Sequence, residues 1–198
     1  MRIVFVGAAQ SSDALLSAAI DASFDIRAVM TLAPDTGSRV HSDYRDLMPR
    51  CQSHDIPCRY MNASEDLDVM LDEFNADLLL VWGWSRLIKS ATYKNLQYGA
   101  VGFHPSPLPM GRGRHPLIWT ILLGLRQSAV TFFVITEEAD AGEILVQRAF
   151  DLPSDVDAGR LMKLVISEGC KAVPSLLNQL QTKGMRGCLQ NEEEAVVW

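Results

Sequence analysis

Alternating strand and helix signals through the first hundred residues predict an α/β protein with a doubly wound, mostly parallel, Rossmann-like sheet. Three observations carry that prediction. The runs Ile3–Val6, 26–32 and Leu78–Trp82 are β-branched, aliphatic or aromatic and of strand length. Segments with helical spacing separate them. The first run closes on Gly7, as strands that feed a helix in such sheets do.

Ile3–Val6 is the first strand, and Ser11, Ser12 and Asp13 supply oxygens to cap a helix reaching Ala22. Residues 26–32 form the second strand, closed by the turn residues Pro34, Asp35 and Gly37. Residues 41–54 have helical spacing, with Tyr44, Leu47 and Met48 on one side, and 57–60 is a short strand. Leu67, Met70, Leu71 and Phe74 fall at i, i+3, i+4 and i+7, the stripe of an amphipathic helix. Leu78–Trp82 is then a buried central strand.

Beyond residue 100 the texture changes. A strand at 98–103 runs into HPSPLPMGRGRHP, whose prolines and glycines exclude a regular element. Residues 117–123 read as a helix, and 129–136 and 143–150 as strands joined by the polar loop 137–142. Residues 156–180 form one long helix with a kink at Pro174. The organisation predicted is a single domain over 1–180 with a loose tail over 181–198 that ends in an acidic patch and Trp198.

A chain of 198 residues suits one domain with a sizeable core, and 48% hydrophobic with 21% charged residues is ordinary for a soluble protein. A net charge of −6 without a block of Lys and Arg argues against a nucleic-acid partner. Every apolar run is strand-length, which argues against a membrane span and a secretory leader and points to the cytoplasm. Cys51, Cys58, Cys170 and Cys188 lack metal-site spacing, so free thiols and no metal are expected.

In open α/β sheets ligands bind outside the carboxyl ends of the strands, which directs attention to 83–88 and to Phe103 onward. The first turn, GAAQSS, lacks the glycines that let a backbone approach a pyrophosphate, which disfavours nicotinamide and flavin chemistry. His104 ends a strand and opens a proline-stiffened loop, a fixed position for a general acid or base. Asp140 lies in a turn that Ala141 and Gly142 allow to be tight; beside His104 it would fix the tautomer and raise proton affinity. Arg112 and Arg114 flank Gly113 in a loop, where guanidinium groups suit a carboxylate or phosphate. A hydrogen-bonded structural histidine, a solvated turn aspartate and surface arginines are the alternatives, and Trp82, Trp84 and Trp119 serve either core packing or stacking on a ring.

Taken together, Gly102-Phe103-His104-Pro105-Ser106-Pro107-Leu108-Pro109, Arg112-Gly113-Arg114 with Pro116, Gly124, Val130-Thr131 and Asp140-Ala141-Gly142-Glu143-Ile144 resemble the signature of the formyltransferase family. The match is dense over about 78–150. The run from Arg112 to Trp119 leans toward the sugar N-formyltransferases. The resemblance implies N10-formyltetrahydrofolate as formyl donor and the primary amine of a nucleotide-linked amino sugar as acceptor, a small molecule rather than a nucleic acid or a membrane. It implies His104 and Asp140 as catalytic residues. Ser85, Arg86, Leu87 and Ile88 would line the folate pocket, over which the loop from Thr136 closes; Ser106, Arg112 and Arg114 would contact the acceptor. A homodimer is the commonest state for such enzymes. One departure stands out: the family pattern has Asn two residues before the histidine, and here that residue is Gly102. A formyl-folate hydrolase, a transferase acting on another amine such as glycinamide ribonucleotide, and a folate-binding module with weakened catalysis are the alternatives.

Overall fold

The computed structural model describes residues 1–198, which divide into two compact units, Met1–Val101 and Gly102–Trp198. In the first unit the elements are β1 (Ile3–Val6), α1 (Gln10–Asp21), β2 (Ile26–Thr31), α2 (Pro34–Val40), α3 (Met48–Ser53), β3 (Cys58–Tyr60), α4 (Glu65–Glu73), β4 (Leu78–Trp82) and α5 (Ser90–Tyr93). Strand β1 pairs in parallel with both β2 and β4, and β2 pairs in parallel with β3. All four residues of β1 are buried, the mark of a strand covered on both faces. The Phe5 and Trp82 rings meet edge to face at 5.5 Å between centroids. Leu15, Leu16 and Ala19 of α1 and Leu67, Met70 and Leu71 of α4 complete this core.

The turn after β1 is tight for a reason visible at Gly7. A Cβ there would come within 2.5 Å of the Trp82 carbonyl and 2.6 Å of Ser12. Ser12 Oγ accepts from the Ala9 N–H at 2.9 Å and donates to the Trp82 carbonyl at 2.7 Å, pinning the start of α1 to the end of β4.

Two predicted elements differ. Residues 34–40, expected as a turn, form α2, with Pro34 in the first turn where its missing N–H costs no hydrogen bond. Residues 41–47, expected as helix, are irregular, and α3 starts only at Met48. Tyr44 explains this. Its hydroxyl donates to the Leu32 carbonyl at 2.8 Å, its backbone bridges to Ala9, and its ring lies where a Cβ on Gly37 would stand, 2.0 Å away. Those contacts hold the segment against α2 and outweigh its helical spacing.

Strand β5 (Ala100–His104) crosses the boundary, and the second unit adds β6 (Met110–Arg112), α6 (Pro116–Leu122), β7 (Gln127–Val134), β8 (Ile144–Asp151), α7 (Ala158–Lys183) and β9 (Val196–Val197). The strands of the main sheet run in the order β3-β2-β1-β4-β5-β7-β8, with β6 and β9 as a separate two-stranded ribbon. This is the doubly wound, mostly parallel fold that the sequence predicts, with an antiparallel β7–β8 hairpin. Helix α7 is capped by the Asp157 side chain, which accepts from the Arg160 N–H at 2.7 Å, and has Pro174 in its interior. Its buried Glu168 binds Arg148 of β8 and Lys171, both at 2.5 Å. No helix is long and apolar enough to cross a membrane.

The loose tail expected beyond residue 180 is instead ordered. Helix α7 continues to Lys183, Cys188 exchanges two backbone hydrogen bonds with Ile144, and β9 pairs in parallel with β6 inside the stretch expected to be irregular. A strand of two or three residues leaves no periodicity to read, so this ribbon has no sequence signal.

Candidate active site

His104 is the last residue of β5 and is 7% exposed. Its Nε2 lies 2.7 Å from the Gly111 carbonyl. A carbonyl only accepts, so Nε2 carries a proton, and in the neutral ring Nδ1 carries the lone pair. Nδ1 faces Asp140 Oδ1 at 3.8 Å. The other carboxylate oxygen, Oδ2, accepts from the Gly113 N–H at 2.9 Å. Asp140 has φ +57°, the left-handed region that Asp tolerates better than most residues. The loop is shaped by Gly142, where a Cβ would overlap the Val134 carbonyl at 1.8 Å. Two acceptors thus face each other across a gap too long for a direct hydrogen bond, an arrangement that favours a donor or a positive charge between them.

In the first unit, residues 83–89 belong to no helix or strand. No backbone–backbone hydrogen bond involves residues 85–88. Leu87 is 95% exposed, and the Arg86 guanidinium lies 6.0 Å from the centre of the Trp84 ring. Ser85 Oγ pairs with His41 Nε2 at 3.1 Å; burial pushes the His41 imidazole below its ordinary pKa. A cleft of ≈ 120 Å³ is lined by Met61, Leu67, Trp84, Arg86, Leu87 and Ile88. Ser64, Glu65, Asp68, Lys89 and Thr92 complete a mixed lining whose apolar part suits the face of a flat heterocycle. In the second unit Thr136 is exposed, its hydroxyl donating to the Glu138 carbonyl at 2.9 Å.

Residues 1–177 match the sequence model of the Formyl transferase family. The chain belongs to the formyl transferase family. Methionyl-tRNA formyltransferase of Azobacteroides pseudotrichonymphae is 29% identical over 196 residues, covering 96% of this chain and 60% of that protein. The chain therefore spans about 60% of the length of that relative. The phosphoribosylglycinamide formyltransferase of Bacillus halodurans superposes with a TM-score of 0.76 at 19% identity, covering 92% of this chain and 96% of that one. An N-formyltransferase from Helicobacter canadensis, in complex with folinic acid and dTDP-3-aminofucose, superposes with a TM-score of 0.74 at 18% identity, covering 99% of this chain and 70% of that one.

Set beside the formyl transferase pattern, Gly102 has a local explanation. A Cβ there would come within 2.6 Å of the Phe133 ring, so Phe133 fills the space a side chain at 102 would need. Two residues expected at the acceptor are otherwise engaged. Ser106 is fully buried, its carbonyl accepting from Thr131 Oγ1 at 2.7 Å, which makes it part of the wall beneath the loop. Arg112 is 4% exposed and donates to Gln190 Oε1 at 3.0 and 2.9 Å and to Glu192 at 3.0 and 2.7 Å. Those bonds hold its guanidinium above its ordinary pKa and the Glu192 carboxyl below its own. Arg112 braces the loop; Arg114 is exposed, with no partner. Sequence reasoning missed Gly111, whose contribution is a backbone carbonyl, and Gln190, which no motif marks.

Proposed function

We propose that the chain is a folate-dependent N-formyltransferase that moves a formyl group from N10-formyltetrahydrofolate to the primary amine of an amino sugar carried on a nucleotide. The facing of His104 Nδ1 and Asp140 Oδ1 across 3.8 Å carries this reading. An amine nitrogen about 2.9 Å from each could sit astride that gap and donate to both. Binding there would aim the amine at the formyl carbon; His104 Nδ1 would take the proton released as the new C–N bond forms and pass it to the donor's N10 as the C–N10 bond breaks, leaving the formamide and tetrahydrofolate. Asp140 would oppose the positive charge on the ring, and the Gly111 carbonyl would keep the tautomer. The donor supplies an activated formyl carbon when bound. Residues 85–88, whose backbone makes no backbone–backbone hydrogen bond, would hold its ring. Phe133 stands where the family amide would be, so charge on the formyl oxygen would be met by the protonated His104 or a backbone N–H.

Arg114, an exposed guanidinium one residue from Gly113, supports a phosphate on the acceptor, and the Helicobacter canadensis protein was crystallised with such a sugar nucleotide. Sequence likeness to methionyl-tRNA formyltransferases favours a second acceptor, methionine esterified to tRNA; a net charge of −6 and the lack of a basic stripe weigh against it. The catalytic domain is taken as residues 1–180, the assembly as a homodimer and the compartment as the cytoplasm.

The test is incubation with N10-formyltetrahydrofolate and a panel of dTDP- and UDP-linked amino sugars, glycinamide ribonucleotide and methionyl-tRNA, read by mass spectrometry. A formylated sugar nucleotide is expected. Formate released without any acceptor would make the protein a hydrolase, and donor binding without turnover would make it a binding module; either result removes the transferase reading.

A further inference from the structure

The segment 188–198 lies outside the residues matched by the family model, yet it holds both members of the catalytic pair. Gln190, 9% exposed, donates through Nε2 to the carbonyls of Asp140 and Gly142, each at 2.7 Å. Both amide hydrogens thus clamp the backbone on either side of Ala141, in the loop where Asp140 takes a left-handed conformation that disfavours non-glycine residues. The Gln190 oxygen accepts from Arg112, whose remaining donors go to Glu192, so a buried cation is neutralised by the same segment. The Trp198 N–H donates to the Arg112 carbonyl at 2.9 Å, and Val196 N–H to the Pro109 carbonyl at 3.2 Å. The Trp198 ring packs on Gly111 so closely that a Cβ there would come within 2.5 Å of it. Gly111 is the residue whose carbonyl accepts the hydrogen bond from His104 Nε2–H.

We infer that Gln190 and Trp198 are positioning residues, Gln190 setting the direction of the Asp140 carboxylate and Trp198 the height of the Gly111 carbonyl that orients the His104 ring. Neither reaches the reacting atoms. The inference rests on His104 and Asp140 being the catalytic pair. It predicts that changes in the segment act on the imidazole before they act on substrate affinity.

The experiment follows the four histidine imidazoles of the full 15N-labelled chain by two-dimensional NMR, with His104→Ala assigning the His104 signals. Gln190→Glu keeps the acceptor for Arg112 and removes both donors to the loop. Trp198→Leu keeps the β9 backbone and removes the ring. Each variant should shift the His104 cross-peaks, speed exchange of its Nε2 proton and leave the other three histidines in place. With an acceptor from the panel, kcat should fall about 10- to 100-fold while KM for the donor stays within about twofold. A purely structural stitch would lower the melting temperature and leave the His104 signals and kcat unmoved, and that result overturns the inference. Trp198→Leu reads the same signals should Gln190→Glu not fold. Full turnover in His104→Ala would instead overturn the proposed function, while the imidazole spectra still report whether the segment sets the ring.

Discussion

At His104 one hydrogen bond decides the chemistry of the ring. Because Nε2 keeps its proton and donates it in a hydrogen bond to the Gly111 carbonyl, Nδ1 is the only basic nitrogen, and it faces Asp140 rather than solvent. His104→Ala and Asp140→Asn should each lower kcat by about 10²- to 10⁴-fold, with circular dichroism and melting close to the parent's. Activity within a factor of two of the parent in either variant would remove these roles. Gly102 makes a second residue-level test. Gly102→Asn forces a side chain into the Phe133 ring and should cost about 1–3 kcal/mol in denaturant unfolding. Pairing it with Phe133→Ala should recover part of that loss, since the ring is the obstacle; additive losses would show that it is not. The facing of His104 and Asp140 was legible through the resemblance to the formyltransferase pattern, since a strand end and a tight turn alone leave a structural histidine and a solvated aspartate as alternatives. Its supports were not: a carbonyl acceptor can come from any residue, and a glutamine 50 positions from Asp140 has no spacing rule to betray it.

Elements were legible where periodicity is long. Strands β1, β2 and β4, helices α1 and α4 and the long α7 fall where hydrophobic spacing puts them, because each buries a face against the sheet. The failures lie where a single tertiary contact overrides local pattern: Tyr44 folding back on Gly37 and Leu32 instead of extending a helix, and β9 finding β6 with two residues. The packing of α7 on β8 has a pH signature. Glu168, bound by Arg148 and Lys171, has a carboxyl held below its ordinary pKa by those hydrogen bonds. A folded pKa below the unfolded one gives stability that is complete above the unfolded value, near 4.5, and is lost as pH falls through the folded value. Glu168→Gln should therefore lower stability by about 1–2 kcal/mol at pH 7 and flatten the acid limb of the melting curve. A parallel acid limb in the variant would show that the pair contributes nothing there.

Across the whole molecule, each compact unit has its own candidate feature: the stretch 85–88, without backbone–backbone hydrogen bonds, in the first, and the facing of His104 and Asp140 with its bracing segment in the second. The fold class was readable because alternation of elements is a property of the entire chain, whereas the residues expected at the acceptor are isolated loop side chains, of which Arg112 and Ser106 are buried. The four histidines also differ in surroundings, His54 and His115 being exposed, His41 half-buried beside Ser85, and His104 enclosed with one nitrogen tied. That ranking amounts to a labelling clock. Diethyl pyrocarbonate should carbethoxylate His54 and His115 first, then His41, and His104 last, so peptide mapping over time should find inactivation tracking only the slowest adduct.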